Sequence, residues 1–125
     1  MTDVLVVDDD RGLREVLELT LGALGYTVAS VADGAEALDW LRAHNDLPRL
    51  VLLDWMMPRC NATDFRRAQL LDARLAKIPV VLLTADLRID SKRAELSLDD
   101  YLEKPVRLAT LRAVTDRYVN GARAS

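Results

Sequence analysis

The chain has 125 residues, half of them apolar and 30% charged, which is typical of one globular domain. Seventeen basic against twenty acidic residues give a net charge of −3 with both signs interspersed. This balance disfavours a general nucleic-acid binder or a membrane-surface protein. One cysteine suits a reducing compartment. We expect no signal peptide, because Asp3 comes before any apolar run, and the apolar runs are too short to span a bilayer. We therefore expect one cytoplasmic domain over residues 1–125, with no second domain in this chain.

Two sequence patterns alternate along the chain. Short runs rich in Val, Ile and Leu are typical of strands covered on both faces, as in a parallel sheet. These runs lie at Val4–Val7, Val28–Val31, Leu50–Leu53, Ile78–Leu83 and Tyr101–Leu102. Segments with helical spacing lie between and after them. The alternation predicts an α/β fold, a single doubly wound parallel sheet of five strand–helix units with right-handed crossovers.

Five helices are predicted from apolar spacing and from start and stop signals. The first carries a stripe of Leu13, Val16, Leu17, Leu21 and Leu24 and stops at Gly25, and Asp33 caps a second with Ala37, Leu38 and Leu41 inside. The third carries Phe65, Ala68 and Leu75 and ends before Pro79, the fourth is the more polar Leu87–Leu96, and the fifth carries Leu108, Leu111, Val114 and Tyr118 and closes near Gly121.

Polar residues follow four of the strands, where ligands bind in open sheets of this kind. They are Asp8-Asp9-Asp10, Asp54, Thr84-Ala85 and Lys104-Pro105. Uncompensated carboxylates at one edge would repel each other, and Mg²⁺ would remove that repulsion while leaving positions for phosphate oxygens. Thr84 and Lys104 are then a hydroxyl and a cation suited to a phosphoryl group, whereas Asp10 is expected to cap the first helix.

Four ordered motifs closely resemble the receiver domain of two-component response regulators. They are Val4-Leu5-Val6-Val7-Asp8-Asp9-Asp10, Leu52-Leu53-Asp54-Trp55-Met56-Met57-Pro58, Leu82-Leu83-Thr84-Ala85 and Asp99-Asp100-Tyr101-Leu102-Glu103-Lys104-Pro105. The resemblance runs from about residue 3 to residue 119. It implies a flavodoxin-like sheet with strand order 2-1-3-4-5.

The resemblance also implies a role for each site residue. Asp54 would be the phosphoacceptor. Mg²⁺ would be bound directly by Asp9, Asp54 and the backbone carbonyl of Met56, and through water by Asp8. Thr84, Ala85 and Lys104 would contact the phosphoryl group, and Tyr101 would be the aromatic partner of Thr84 in switching. The chemistry would be limited to phosphotransfer onto the protein itself and autodephosphorylation, so that the domain is a signalling switch rather than an enzyme.

The implied partners follow from this role. A sensor histidine kinase or a histidine phosphotransfer protein would donate the phosphoryl group, and a downstream protein would bind the face made by the fourth helix, fifth strand and fifth helix. Direct contact with nucleic acid or membrane is not expected. Many DNA-binding relatives have an acidic residue where this chain has Thr110, so we expect a monomer or weak dimer rather than their charge-paired dimer.

Two other functions use overlapping residues. A phosphohydrolase of the haloacid-dehalogenase type would use Asp8, Asp10, Thr84, Lys104 and the Asp99-Asp100 pair. That pair precedes the lysine, which is the wrong order, and the chain has no room for a substrate cap. The other alternative is a pseudo-receiver that only docks partners, which the complete acidic site disfavours.

The loop after Asp54 departs from the family pattern. Arg59 and Ala62 stand where the family usually has glycine. Either Ala62 is strained on the usual backbone path, or Asn61 takes over the bend and Ala62 begins the third helix. We expect the second arrangement, because Asn61 and Thr63 are both good capping residues.

Overall fold

The computed structural model describes residues 2–55, 61–85 and 100–121. The strands are β1 (Val4–Val7), β2 (Val28–Val31), β3 (Leu50–Asp54), β4 (Val80–Thr84) and β5 (Asp100–Glu103). The helices are α1 (Arg11–Ala23), α2 (Gly34–Ala43), α3 (Ala62–Leu71) and α4 (Leu108–Thr115), and α4 continues as a π-helical turn over Asp116–Asn120. Helix α4 corresponds to the fifth predicted helix, because the fourth, Leu87–Leu96, lies outside the described residues.

All five strands pair in parallel in the order β2-β1-β3-β4-β5, which confirms the predicted fold. The register pairs Val7 of β1 with Leu53 of β3, and Thr84 of β4 with Glu103 of β5. The residues at the carboxyl ends of β1, β3, β4 and β5 are therefore level with one another. This register creates the edge on which the candidate site lies.

The sheet separates two apolar cores. Alternating side chains of each strand point to opposite faces, so Leu5 and Val7 pack on one side and Val4 and Val6 on the other. The first core includes Phe65 and residues of α2, whereas the second includes residues of α1 and α4. No helix among the described residues is long and apolar enough to cross a bilayer.

Side-chain caps begin three of the helices. Asp10 Oδ1 accepts from Leu13 N–H at 3.2 Å, Asp33 Oδ1 from Glu36 N–H at 2.9 Å, and Asn61 Oδ1 from Asp64 N–H at 2.9 Å. The backbone of Asn61 has φ −69°, outside the left-handed region, so the prediction that Asn61 takes over the bend is wrong. Ala62 is instead the first residue of α3, as expected, and is fully buried.

Some apolar positions do not face the core. Val16 and Leu108, predicted on buried stripes, are 56% and 58% exposed, because the true contact faces of α1 and α4 are centred on Leu17 and Leu111. Helix α3 ends at Leu71, so Leu75 is buried in the following turn rather than in the predicted helix. The side chain of Gln69 closes that turn by donating to Leu75 O at 2.9 Å and Ile78 O at 3.0 Å.

Candidate functional site

Three carboxylates converge at the carboxyl edge of the sheet. Ligand oxygens of Asp8, Asp9 and Asp54 all lie within 4.8 Å of one another. Asp54 ends β3, and Asp8 and Asp9 directly follow β1, so the parallel register brings them together. Asp8 is fully buried and Asp54 is 4% exposed, whereas Asp9 is exposed. The cluster therefore has two buried members and one that faces solvent.

Lys104 supplies a positive charge to the buried pair. Its Nζ lies 2.9 Å from Asp54 Oδ1 and 3.2 Å from Asp8 Oδ2. Burial lowers the pKa of Lys104, but the hydrogen bond and charge of Asp54, together with Asp8, outweigh burial and raise the pKa above 10.5. The side chain is therefore a stable ammonium that offsets part of the carboxylate repulsion.

The turn between β1 and α1 is held by side chains of its own sequence. Asp8 Oδ1 accepts from Asp10 N–H at 2.9 Å, which bends the chain directly after the strand. Arg14 Nη1 donates to the carbonyl oxygen of Asp8 at 2.7 Å. Sequence reasoning missed Arg14, and the available signal was a basic residue one turn into the helix that follows an acidic strand end.

Thr84, Ala85 and Tyr101 lie on the neighbouring strands. Thr84 is the last residue of β4 and is 2% exposed, and its carbonyl accepts from Lys104 N–H at 2.8 Å. Ala85 follows it and is exposed. Tyr101 is half-buried on β5, against the same core as Phe65. Met56, the remaining predicted ligand, lies outside the described residues.

The donor set fits a hard divalent cation. Three carboxylates offer oxygen ligands, and oxygen is the donor that Mg²⁺ prefers. Asp8 already uses Oδ1 for Asp10 N–H and Oδ2 for Lys104, which suits the indirect role predicted for it. Asp9 is exposed and Asp54 ends β3, so these two carboxylates could bind a cation directly. Asp10, which the hydrolase alternative needs, uses its side chain to cap α1.

Sequence comparisons point to one family. The family model described as response regulator receiver domain matches residues 4–116. Response regulator MprA of Mycobacterium sp. (strain KMS) is 41% identical over 112 residues, covering 88% of this chain and 47% of the relative. The protein of the same name in Mycobacterium avium (strain 104) is 40% identical over 112 residues, with the same coverage. The chain thus spans about half the length of these curated relatives.

Structural comparisons agree. A receiver domain of a signal transduction histidine kinase from Syntrophus aciditrophicus has TM-score 0.87 and 28% identity, covering 100% of this chain and 95% of its own. The receiver domain of sensor histidine kinase PA1611 from Pseudomonas aeruginosa PAO1 has a TM-score of 0.85 and 27% sequence identity, and the match covers 95% of this chain and 98% of that chain. Its structure is described with a magnesium ion coordinated in the active site cleft. Chemotaxis protein CheY4 of Vibrio cholerae has a TM-score of 0.84 and 27% sequence identity, and the match covers 94% of this chain and 98% of that chain.

Proposed function

Because this chain belongs to the response regulator receiver domain family of two-component signalling, we propose that it is a switch phosphorylated on Asp54. The observation that carries this proposal is the cluster of Asp8, Asp9 and Asp54 carboxylates with the Lys104 ammonium 2.9 Å from Asp54. Phosphoryl transfer to a protein requires a nucleophile, here a carboxylate, and positive charge beside it, which a cationic side chain and a metal bound by oxygen ligands can supply.

The transfer joins a carboxylate oxygen of Asp54 to phosphorus. The bond that breaks joins phosphorus to a histidine nitrogen of a sensor kinase or histidine phosphotransfer protein, and that nitrogen keeps the electron pair. Lys104 offsets charge on the phosphoryl oxygens, and Thr84 and the backbone at Ala85 offer contacts to them. Mg²⁺, held by Asp9 and Asp54 directly, by Asp8 through water and by the carbonyl of Met56, would supply further charge neutralisation.

The reaction product is an acyl phosphate on the protein itself. Its hydrolysis returns Asp54 to a free carboxylate, so the domain turns over no separate substrate. We therefore regard the chain as a signalling switch with self-directed chemistry rather than an enzyme. The cytoplasm is the compartment in which a kinase of this type would reach it.

Switching would pass from Thr84 to Tyr101. Thr84 ends β4, and Tyr101 lies on the adjacent strand β5, where its ring is only half-buried. Movement of the Thr84 hydroxyl toward a phosphoryl oxygen would leave space into which Tyr101 can turn. The face that changes includes β5 and α4, which is where a downstream protein would bind.

The test is phosphorylation by acetyl phosphate with Mg²⁺, followed by intact mass. We expect the wild type to gain one phosphoryl group and Asp54→Asn to gain none. Asp39→Asn is the matched control, because Asp39 is an exposed acid on α2 and its loss should leave phosphorylation unchanged. Full phosphorylation of Asp54→Asn, or modification of Asp8 instead, would falsify the proposal.

A further inference from the structure

The guanidinium of Arg14 reaches back from α1 to the end of β1. Its Nη1 donates to the carbonyl oxygen of Asp8 at 2.7 Å. Asp8 lies one residue beyond β1, although its N–H still donates to Val31 O at 3.2 Å. The carbonyl oxygen of Asp8 thus accepts from the half-buried side chain of Arg14, where the chain leaves the sheet.

This contact constrains the residue that follows. The carbonyl of Asp8 and the N–H of Asp9 belong to one planar peptide unit, so holding the carbonyl holds the plane from which Asp9 departs. On the other side of Asp9, the N–H of Asp10 is held by Asp8 Oδ1, and the Asp10 side chain caps α1. The backbone of Asp9 is therefore fixed from both sides.

Asp9 is the member of the acidic cluster that most needs this support. Asp8 is fully buried, and Asp54 belongs to a paired strand, so surrounding structure positions both. Asp9 is exposed, and the turn sets where its carboxylate projects. A ligand held in place by its backbone loses less conformational freedom when it binds a metal.

We propose that Arg14 is a positioning residue for divalent-cation binding, acting through Asp9. The inference rests on the proposed function, since it requires that the acidic cluster bind Mg²⁺. The inference also predicts the direction in which Mg²⁺ affinity changes when the guanidinium is removed. A guanidinium near a metal site repels the metal, so removing it should strengthen binding if charge alone mattered, and should weaken binding if positioning dominates.

The experiment is a Mg²⁺ titration followed by the fluorescence of Trp55, which is next to Asp54. We expect Arg14→Met to weaken Mg²⁺ binding roughly tenfold, which is the lower end for residues that orient metal ligands. Arg14→Gln is polar but too short to keep the contact, so it should weaken Mg²⁺ binding by a similar factor. If Arg14→Met does not fold, Arg14→Gln is used in its place. Arg14→Lys, which keeps length and a donor, should recover part of the affinity.

Arg11→Met is the matched control. Arg11 lies in the first turn of the same helix and forms an exposed ion pair with Glu15 at 3.2 Å. Arg11→Met removes the same charge and keeps the contact between Arg14 and the Asp8 carbonyl. The Mg²⁺ affinity of this variant should therefore stay within about twofold of the wild type, because exposed ion pairs contribute little. Unchanged or tighter Mg²⁺ binding by the Arg14 variants would overturn the proposal.

A double-mutant cycle tests the route through Asp9. In the Asp9→Asn background, Arg14→Met should change the Mg²⁺ affinity by less than about twofold, since the residue it positions is no longer a charged ligand. A full tenfold effect in that background would show that Arg14 acts elsewhere and would overturn the inference. Failure of the wild type itself to bind Mg²⁺ would instead refute the metal site of the proposed function and the inference with it.

Discussion

Lys104 holds its ammonium between two carboxylates of the predicted metal site. Its Nζ contacts Asp54 Oδ1 and Asp8 Oδ2, and three quarters of its side chain is removed from solvent. Without Lys104, the buried carboxylate of Asp8 would lose its cationic partner. Breaking such a pair from one side is strongly destabilising, because a buried charge is left without compensation.

We therefore expect Lys104→Met to lower the free energy of unfolding by about 3 kcal/mol in a chelating buffer. Added Mg²⁺ should recover much of this loss, because a divalent cation would replace the missing charge and would no longer be repelled by the ammonium. Urea unfolding with and without Mg²⁺ measures both effects. Lys77→Met, at an exposed lysine, is the control. Equal Mg²⁺ stabilisation of the wild type and Lys104→Met would contradict the prediction.

Among the elements, the connection from α3 to β4 depends on one buried amide. Gln69 is fully buried, donates to the carbonyls of Leu75 and Ile78, and accepts from Arg66 Nη1 at 2.8 Å. Gln69→Leu would remove these three hydrogen bonds from the protein interior, and we expect a loss of about 2–4 kcal/mol in the free energy of unfolding. Leu71→Ala, at a side chain 89% exposed, should change it by less than about 0.5 kcal/mol. Similar urea midpoints for the two variants would exclude this role for Gln69.

The start of α3 allows a test at a position where the chain departs from its family. Ala62 is the first residue of the helix and is fully buried after the Asn61 cap. Ala62→Gly should therefore destabilise the domain by roughly 0.5–1 kcal/mol through backbone entropy. The opposite change, Gly22→Ala on α1, meets no atom within 4 Å and should stabilise by a similar amount. A higher urea midpoint for Ala62→Gly would mean that Ala62 is strained.

Over the whole molecule, the sequence predicts the sheet better than the contacts between elements. Buried parallel strands are unbroken apolar runs, so β1 and the positions of Asp8 and Asp54 could be located directly. Periodicity cannot decide which apolar residue of a helix faces solvent, so Val16 was misplaced on the buried stripe. Nor can it show a side chain that reaches back across a turn, and for this reason Arg14 was missed. Such contacts depend on the relative placement of two elements.

A polar contact also joins distant parts of the chain. The Tyr26 hydroxyl donates to Asp116 Oδ1 across 90 positions, and Asn120 Nδ2 donates to the Tyr26 hydroxyl at 3.3 Å. This cluster holds the π-helical turn after α4 against the loop between α1 and β2. Burial raises the pKa of Tyr26 above its ordinary 10.0, and the hydrogen bond and negative charge of Asp116 raise it further.

The raised pKa predicts a pH-dependent contribution to stability. The folded state keeps the Tyr26 proton more tightly than the unfolded state, so the stabilisation is complete below pH 10 and is lost as the pH rises through the folded pKa. Tyr26→Phe should therefore cost about 1 kcal/mol at neutral pH, the worth of a typical hydrogen bond. Urea unfolding across this range should show the difference between wild type and Tyr26→Phe shrinking above pH 10. A constant difference throughout would mean that the Tyr26 proton is not linked to folding.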